Sequence, residues 1–180
     1  MKTTGSSTRK KVVVRKLDRG LVKGYLNPSS YMGPEGVEVL DQEGRLQRIP
    51  VEELKGIFFV RDFVGNRHRN ERKLFQSRPK RTGLWVRMTF TDSEVLEGII
   101  ANNLLDLDPQ GFLITPPDVY SNNLRIYIPR SALTAIEVVG VISDGTARRT
   151  SQRLNELRRQ STGAAAQIGL FPSPRQSETE

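Results

Sequence analysis

Short runs of alternating apolar and polar residues fill positions 12–60 and 84–142 of the chain, and none extends to the length of a helix. Val12-Val13-Val14-Arg15 opens a β-branched strand. Leu21–Leu26 forms a second after the turn residues Asp18-Arg19-Gly20, and Asn27-Pro28-Ser29-Ser30 breaks it. Gly36-Val37-Glu38-Val39-Leu40 alternates as a half-buried strand does, Asp41–Gly44 marks a hairpin turn, and Arg45–Ile49 returns to Pro50. Ile57–Val60 then completes five strands of ordinary length, with one 3-10 turn over Val51–Leu54.

The same succession then repeats. Ile49-Pro50-Val51-Glu52-Glu53-Leu54-Lys55-Gly56-Ile57 returns as Ile128-Pro129-Arg130-Ser131-Ala132-Leu133-Thr134-Ala135-Ile136. Leu84–Phe90 matches the first strand, with Arg87 set against Arg15, and Glu94–Ile100 matches the second, with Gly98 set against Gly24. Gly111–Ile114 matches the third. The offset grows from 72 residues at Arg15/Arg87 to 79 at Pro50/Pro129, growth that belongs in loops such as Thr115–Asn123. A repeat of this period implies two similar structural units. Five short antiparallel strands escape long bare edges by rolling up, and mid-strand Gly24 and Gly98 suit the bend.

The expected fold is therefore mainly β: two tandem five-stranded antiparallel small barrels, with a short C-terminal helix and disordered tails. The boundaries read as a basic arm at 1–11, barrels at 12–60 and 84–142, a linker at 61–83, a marginal helix at 143–162 and a tail at 163–180. The linker is expected to be ordered at Arg61–Val64 and mobile beyond. The helix has a thin apolar stripe, Ala147, Leu154 and Leu157.

Charge adds a second layer. The chain carries a net +8, but residues 12–60 are neutral and residues 84–142 carry −4. The surplus lies in the arm (+4), the linker (+6) and the C-terminal segment (+2), so attraction to nucleic acid or an acidic partner is expected from there. Candidate binding residues in the linker are Arg67, Arg69, Arg72, Lys73, Arg78, Lys80 and Arg81. The chain has no Cys and one His, which removes disulfides, thiol catalysis and Cys- or His-based metal sites. His68 stands in the linker without a nucleophile beside it. Asp106 and Asp108 near Asn102 and Asn103 read as a solvated turn rather than a Mg²⁺ site. No Gly-rich phosphate cradle is present. No enzymatic activity, cofactor or metal is expected. With no membrane-length apolar run and no apolar stretch behind the basic arm, neither a membrane span nor a secretory leader is expected, and the cytoplasm is the default location.

Three resemblances add to this. The strand order and size over Val12–Val60 and Leu84–Val139 resemble SH3-like and Sm-like small barrels, the group that includes the bacterial RNA chaperone Hfq. That likeness implies RNA binding at a loop after the second strand, where Asn102-Asn103 stands. The Arg/Lys-Gly turn of that group is missing before Ile49 and Ile128, and Tyr25 and Tyr127, the candidate stacking aromatics, occupy strand positions suited to the core. Asp106-Leu107-Asp108-Pro109-Gln110-Gly111 is similar to the Asp-x-Ser-x-x-Gly turn of PilZ domains, with Asp108 in the place of Ser. This implies cyclic di-GMP binding through Asp106, Asp108 and Gly111, for which Arg69 and Lys73 are the nearest match to the PilZ pair of arginines. Gln167-Ile168-Gly169-Leu170-Phe171 resembles the Gln-x-x-Leu-Phe peptide that docks on bacterial sliding clamps, with Gln167, Leu170 and Phe171 as anchors. The leading expectation is a non-enzymatic bacterial adaptor that recruits protein partners, the sliding clamp among the candidates. The alternative is a regulator that binds RNA or cyclic di-GMP.

Overall fold

A computed structural model of the chain describes residues 9–33, 35–65, 69–103, 105, 107–143 and 153–157. The chain divides into two compact units, Met1–Ile142 and Ser143–Glu180. In the second, residues 153–157 are helical. The first is built from β1 (Lys10–Lys16), β2 (Leu21–Leu26), β3 (Met32–Gly33), β4 (Gly36–Asp41), β5 (Leu46–Ile49), β6 (Leu54–Val60), β7 (Gly83–Phe90), β8 (Val95–Ile100), β9 (Gly111–Ile114), β10 (Asn123–Pro129) and β11 (Leu133–Ile142). The duplicated Ile-Pro falls where β5 and β10 run into single 3-10 turns, Val51–Glu53 and Arg130–Ala132. Proline suits that place, because its fixed φ starts the turn and its missing N–H leaves no donor unpaired. β3 is a two-residue addition to the first repeat that the hydrophobic pattern does not announce.

Every ladder is antiparallel, and the two repeats share one strand order. In the first, β6, β1, β2, β4 and β5 follow one another. In the second the order is β11, β7, β8, β9 and β10, with β8 joined to β9 by the Ile99–Thr115 bridge. Each repeat is a small barrel left open, since its own fourth and fifth strands share no ladder. The registers correct the sequence alignment by two positions. Val12 pairs with Gly24 and Phe59, and Val86 pairs with Gly98 and Val138, so Val12 corresponds to Val86 and Arg87 to Val13 rather than to Arg15. A shift of two keeps every side chain on its own face, which is why the alternation alone does not detect it.

Gly24 and Gly98 occupy equivalent places where the second strand crosses close to the third. A Cβ on Gly24 would lie 2.3 Å from the Leu40 carbonyl oxygen, and one on Gly98 would lie 2.8 Å from Ile114 Cδ1. The close backbone approach, as well as the bend, excludes a side chain there.

The repeats fuse along one seam. β6, the fifth strand of the first repeat, pairs with β10, the fourth strand of the second, with Phe59 opposite Arg125, Phe58 opposite Ile126 and Ile57 opposite Tyr127. Side chains cross it in both directions. Tyr127 belongs to the core of Val12, Val14, Val37, Val39, Leu54 and Ile57, whereas Phe58 packs on the core of Val86, Met88, Phe90, Ile114, Ile126 and Ile128. Tyr127 is thus a core residue of the repeat it does not belong to. Lys55, buried on β6, reaches the β7–β8 turn and pairs with Asp92 and, at 2.6 Å, with Glu94.

Candidate functional site

The described part of the linker from residue 69 onward makes specific contacts with the acidic second repeat. Glu97 on β8 is 2% exposed, and both carboxylate oxygens are filled. Oε1 accepts from Arg87 Nε at 3.1 Å and Nη2 at 2.8 Å. Oε2 accepts from the Phe75 backbone N–H at 2.9 Å and from Trp85 Nε1 at 3.1 Å. The Glu97 N–H donates to the Lys73 carbonyl at 2.8 Å, and Phe75 meets Trp85 edge-on. Upstream, Arg69 Nη2 lies 2.6 Å from Asp118 Oδ1, and Glu71 accepts from Ser121 and Asn123 on the long hairpin. Lys73 pairs with Glu94 at 3.1 Å. Carboxylates of the second repeat thus bind Arg69, Lys73 and the Phe75 N–H, contacts that the linker's composition does not announce.

These contacts sort the candidate cations. Arg69 and Lys73 are tied to carboxylates, and the Arg69 guanidinium, first by its hydrogen bond, holds the Asp118 carboxyl below its ordinary range. Arg72, Arg78, Lys80 and Arg81 instead line a groove of about 600 Å³ between the linker and the 115–123 hairpin. Arg61, at the start of the linker, joins them there. Among the described residues none of these five has a carboxylate at ion-pair distance, and Arg78 is steadied through the Val141 carbonyl at 3.3 Å. Leu74, Val119 and Leu124 give the same groove apolar walls. Tyr120, 83% exposed, stands on the same hairpin with the Arg69 guanidinium 5.9 Å from its ring. Five cations with one lining carboxylate, itself already paired, form a local anion-attracting surface in a repeat whose own balance is acidic.

A second cavity, about 390 Å³, lies beside the seam and holds the PilZ-like turn. Asp108, Gly111, Tyr31, Tyr127, Arg81 and Arg125 line it. Asp108 closes its own turn by accepting from the Gln110 N–H at 2.8 Å. Gly111 backs onto Tyr127, where a Cβ would come within 2.6 Å of the phenol oxygen. Burial, and then the Asp108 charge, push the Tyr127 phenol far above its usual range, and the same two causes raise Tyr31. Arg69 and Lys73, matched to the PilZ arginines, do not line this cavity; Arg81 does.

Arg67, His68 and Asp106 lie outside the described residues, as do Gln167, Leu170 and Phe171 of the clamp-like peptide. Asn103 turns its side chain to the Leu105 N–H at 3.3 Å. Among the described residues no group of three or more His, Cys, Asp or Glu is placed to hold a metal, and no helix is long and apolar enough to cross a membrane.

Residues 8–140 match the model of a family described as "Family of unknown function (DUF6982)". The chain belongs to that family. The match spans both repeats, the linker and nearly all of β11, so the groove, the cavity and the seam all lie inside the DUF6982 region. No curated protein and no solved structure matches the chain.

Two residues of the site escaped the sequence reading. Arg61 fell within the basic linker but was not singled out among its candidate cations. Glu97 read as one polar step in a strand. The pairing of an acidic repeat with a basic linker was the signal that such contacts exist, though it did not name the partners.

Proposed function

We propose that the chain is a non-catalytic nucleic-acid-binding module that takes a single strand along the groove between the linker and the 115–123 hairpin. The observation that supports this reading is the convergence of Arg61, Arg72, Arg78, Lys80 and Arg81 on one face with no carboxylate partner among the described residues. Cations held this way release counterions from a phosphate backbone, which supplies affinity without sequence choice. Leu74, Val119, Leu124 and the neighbouring Tyr120 ring offer surfaces on which unstacked bases can rest. A duplex fits this reading less well, since the groove is bounded on both sides by protein.

The test is fluorescence anisotropy of the full chain with a labelled single-stranded RNA or DNA. If four or five phosphates are engaged, log K falls against log salt with a slope of about −3. The variant Arg72→Ala/Arg78→Ala/Lys80→Ala/Arg81→Ala should bind at least about thirtyfold more weakly at low salt and show a flatter slope. Undiminished binding by that variant, or no binding by the native chain at low salt, removes the proposal. Cyclic di-GMP in the same assay separates the cavity from the groove: saturable binding sensitive to Tyr31 and Arg125 but not to Arg72 and Arg78 would move the function to the cavity.

A further inference from the structure

The chain contains one strand-to-strand seam between its repeats and, at its two ends, the unmatched halves of another. β11 is the copy of β6, and β5 is the copy of β10. β6 and β10 are paired with each other; among the described residues β11 and β5 pair only with β7 and β4 within their own repeats. The difference shows in burial at equivalent positions. Ile57 is 0% exposed and its copy Ile136 is 39%; Val60 is 6% and its copy Val139 is 39%. Ile136 and Val138 stand opposite the fully buried Met88 and Val86, so they face the core side of their sheet, yet Val138 is 62% exposed. Leu46 on the β5 edge is 61% exposed. This ten-residue edge strand carries Ile136, Val138, Val139 and Val141 and no lysine, arginine or proline; its protection against pairing is limited to Glu137 and the register irregularities at Leu133/Ala135 and Val138/Gly140.

We infer that β11 of one molecule pairs antiparallel with β5 of a second copy, repeating between chains the seam that β6 and β10 make within one. Carrying the β6–β10 register over to the copies sets Val138 opposite Leu46, Glu137 opposite Gln47 and Ile136 opposite Arg48. The first pair joins the two exposed aliphatic side chains. The inter-chain seam is the more polar of the two. Arg48 stands where Tyr127 enters the neighbouring core, and Thr134 stands where Lys55 reaches its two carboxylates. It therefore forms at higher concentration and reversibly, whereas the internal seam is permanent. Because the two edges differ, the contact is heterologous, and successive copies add head to tail until a ring closes or a chain grows.

Sedimentation of the full chain over about a hundredfold concentration range, reaching high micromolar, reads this directly. The expected result is a mass that rises above 20.3 kDa in whole multiples. Val138→Lys spoils the β11 edge and Leu46→Lys spoils the β5 edge, so each variant alone should be monomeric. Mixed, they should give a dimer and nothing larger, because each retains the edge the other lost. Both substitutions fall on exposed side chains, and circular dichroism with urea melts confirms that each variant folds. A native chain that stays monomeric throughout overturns the inference. So does a mixture that gives no dimer. Loss of association in Val138→Lys with none in Leu46→Lys would overturn it too, since that is the mark of β11 pairing with β11.

Discussion

Glu97→Ala tests whether the linker is held as the geometry says. The native carboxylate is buried and accepts four hydrogen bonds, two at each oxygen. Truncation leaves the Trp85 indole N–H and the Phe75 backbone N–H without their acceptor, each costing about 1–3 kcal/mol if water does not replace it. Arg87 loses two bonds as well, but its side chain is nearly half exposed and faces Glu137 across the ladder, so its share is discounted. The expected loss is roughly 3–4 kcal/mol, a large part of the 5–15 kcal/mol that holds a typical domain together. Glu97→Gln keeps the shape and one good acceptor, and should lose about half as much.

Urea unfolding followed by Trp85 fluorescence measures both, and Trp85 is the one tryptophan in the chain. Binding adds a second readout whose sign separates two causes. Removing a negative charge near a cationic groove should strengthen binding of a polyanion by simple Coulomb attraction. If Glu97 instead orders the linker that carries Arg72, Arg78 and Lys80, the variant binds more weakly under conditions where it is still folded. A stability change below about 1 kcal/mol in Glu97→Ala would refute the reasoning, because a buried carboxylate with four donors cannot then be structural in the way described.

Three further outcomes follow from the seam, the carboxylates and the glycines. Lys55→Met leaves Asp92 and Glu94 without their buried counter-charge and should cost roughly 2–3 kcal/mol in urea, discounted because Asp92 is half exposed; a neutral result would show that the pair only offsets its own desolvation. Asp118 is held below its ordinary pKa by Arg69, and Asp92 by Lys55, so their contribution is present above about pH 4 and is lost as pH falls through their folded values. Acid titration of the urea midpoint should show this fall, and Asp118→Asn should flatten it. Gly24→Ala should be the harsher of the two equivalent glycine changes, by about 1–2 kcal/mol, because its Cβ would lie 2.3 Å from a backbone carbonyl oxygen while the nearest atom to that of Gly98 is the Ile114 side chain at 2.8 Å. Equal effects in thermal melts would mean that the second strand gives way as readily in both repeats.

The repeat and its mainly β character were legible in the chain because alternation, turn residues and the Ile-Pro cassette are local signals. The antiparallel succession of short strands followed from the same signals, whereas pairings between non-consecutive strands, such as β1 with β6, are set by the closing fold. The two-residue alignment error and the seam were not legible, and for one reason: a ladder between distant strands leaves no mark in either strand's own pattern. Tyr127 illustrates this. Its place in a strand marked it for a core, but nothing near it says that the core lies in the other repeat. The groove was half legible. The basic run stood out, but which cations stay free depends on Glu94, Glu97 and Asp118, which come from other elements of the fold.

Divergence between the copies makes sense once the seam is known. Phe58-Phe59 and Glu137-Val138 are equivalent dipeptides with different neighbours. Phe58 faces Ile126 across the seam and packs into the second core. Glu137 faces Arg87 on its own sheet, and among the described residues no strand pairs with its other side. A buried contact selects an aromatic, and an edge tolerates a charge. Had β11 been a permanent edge, the neighbouring Ile136, Val138, Val139 and Val141 would be under the same relaxation, and charged residues would serve solubility better. Glu137 alone has changed in that way. The aliphatic residues that remain are those an intermittent partner strand would cover, and that is the pattern the Val138→Lys and Leu46→Lys mixture is designed to detect.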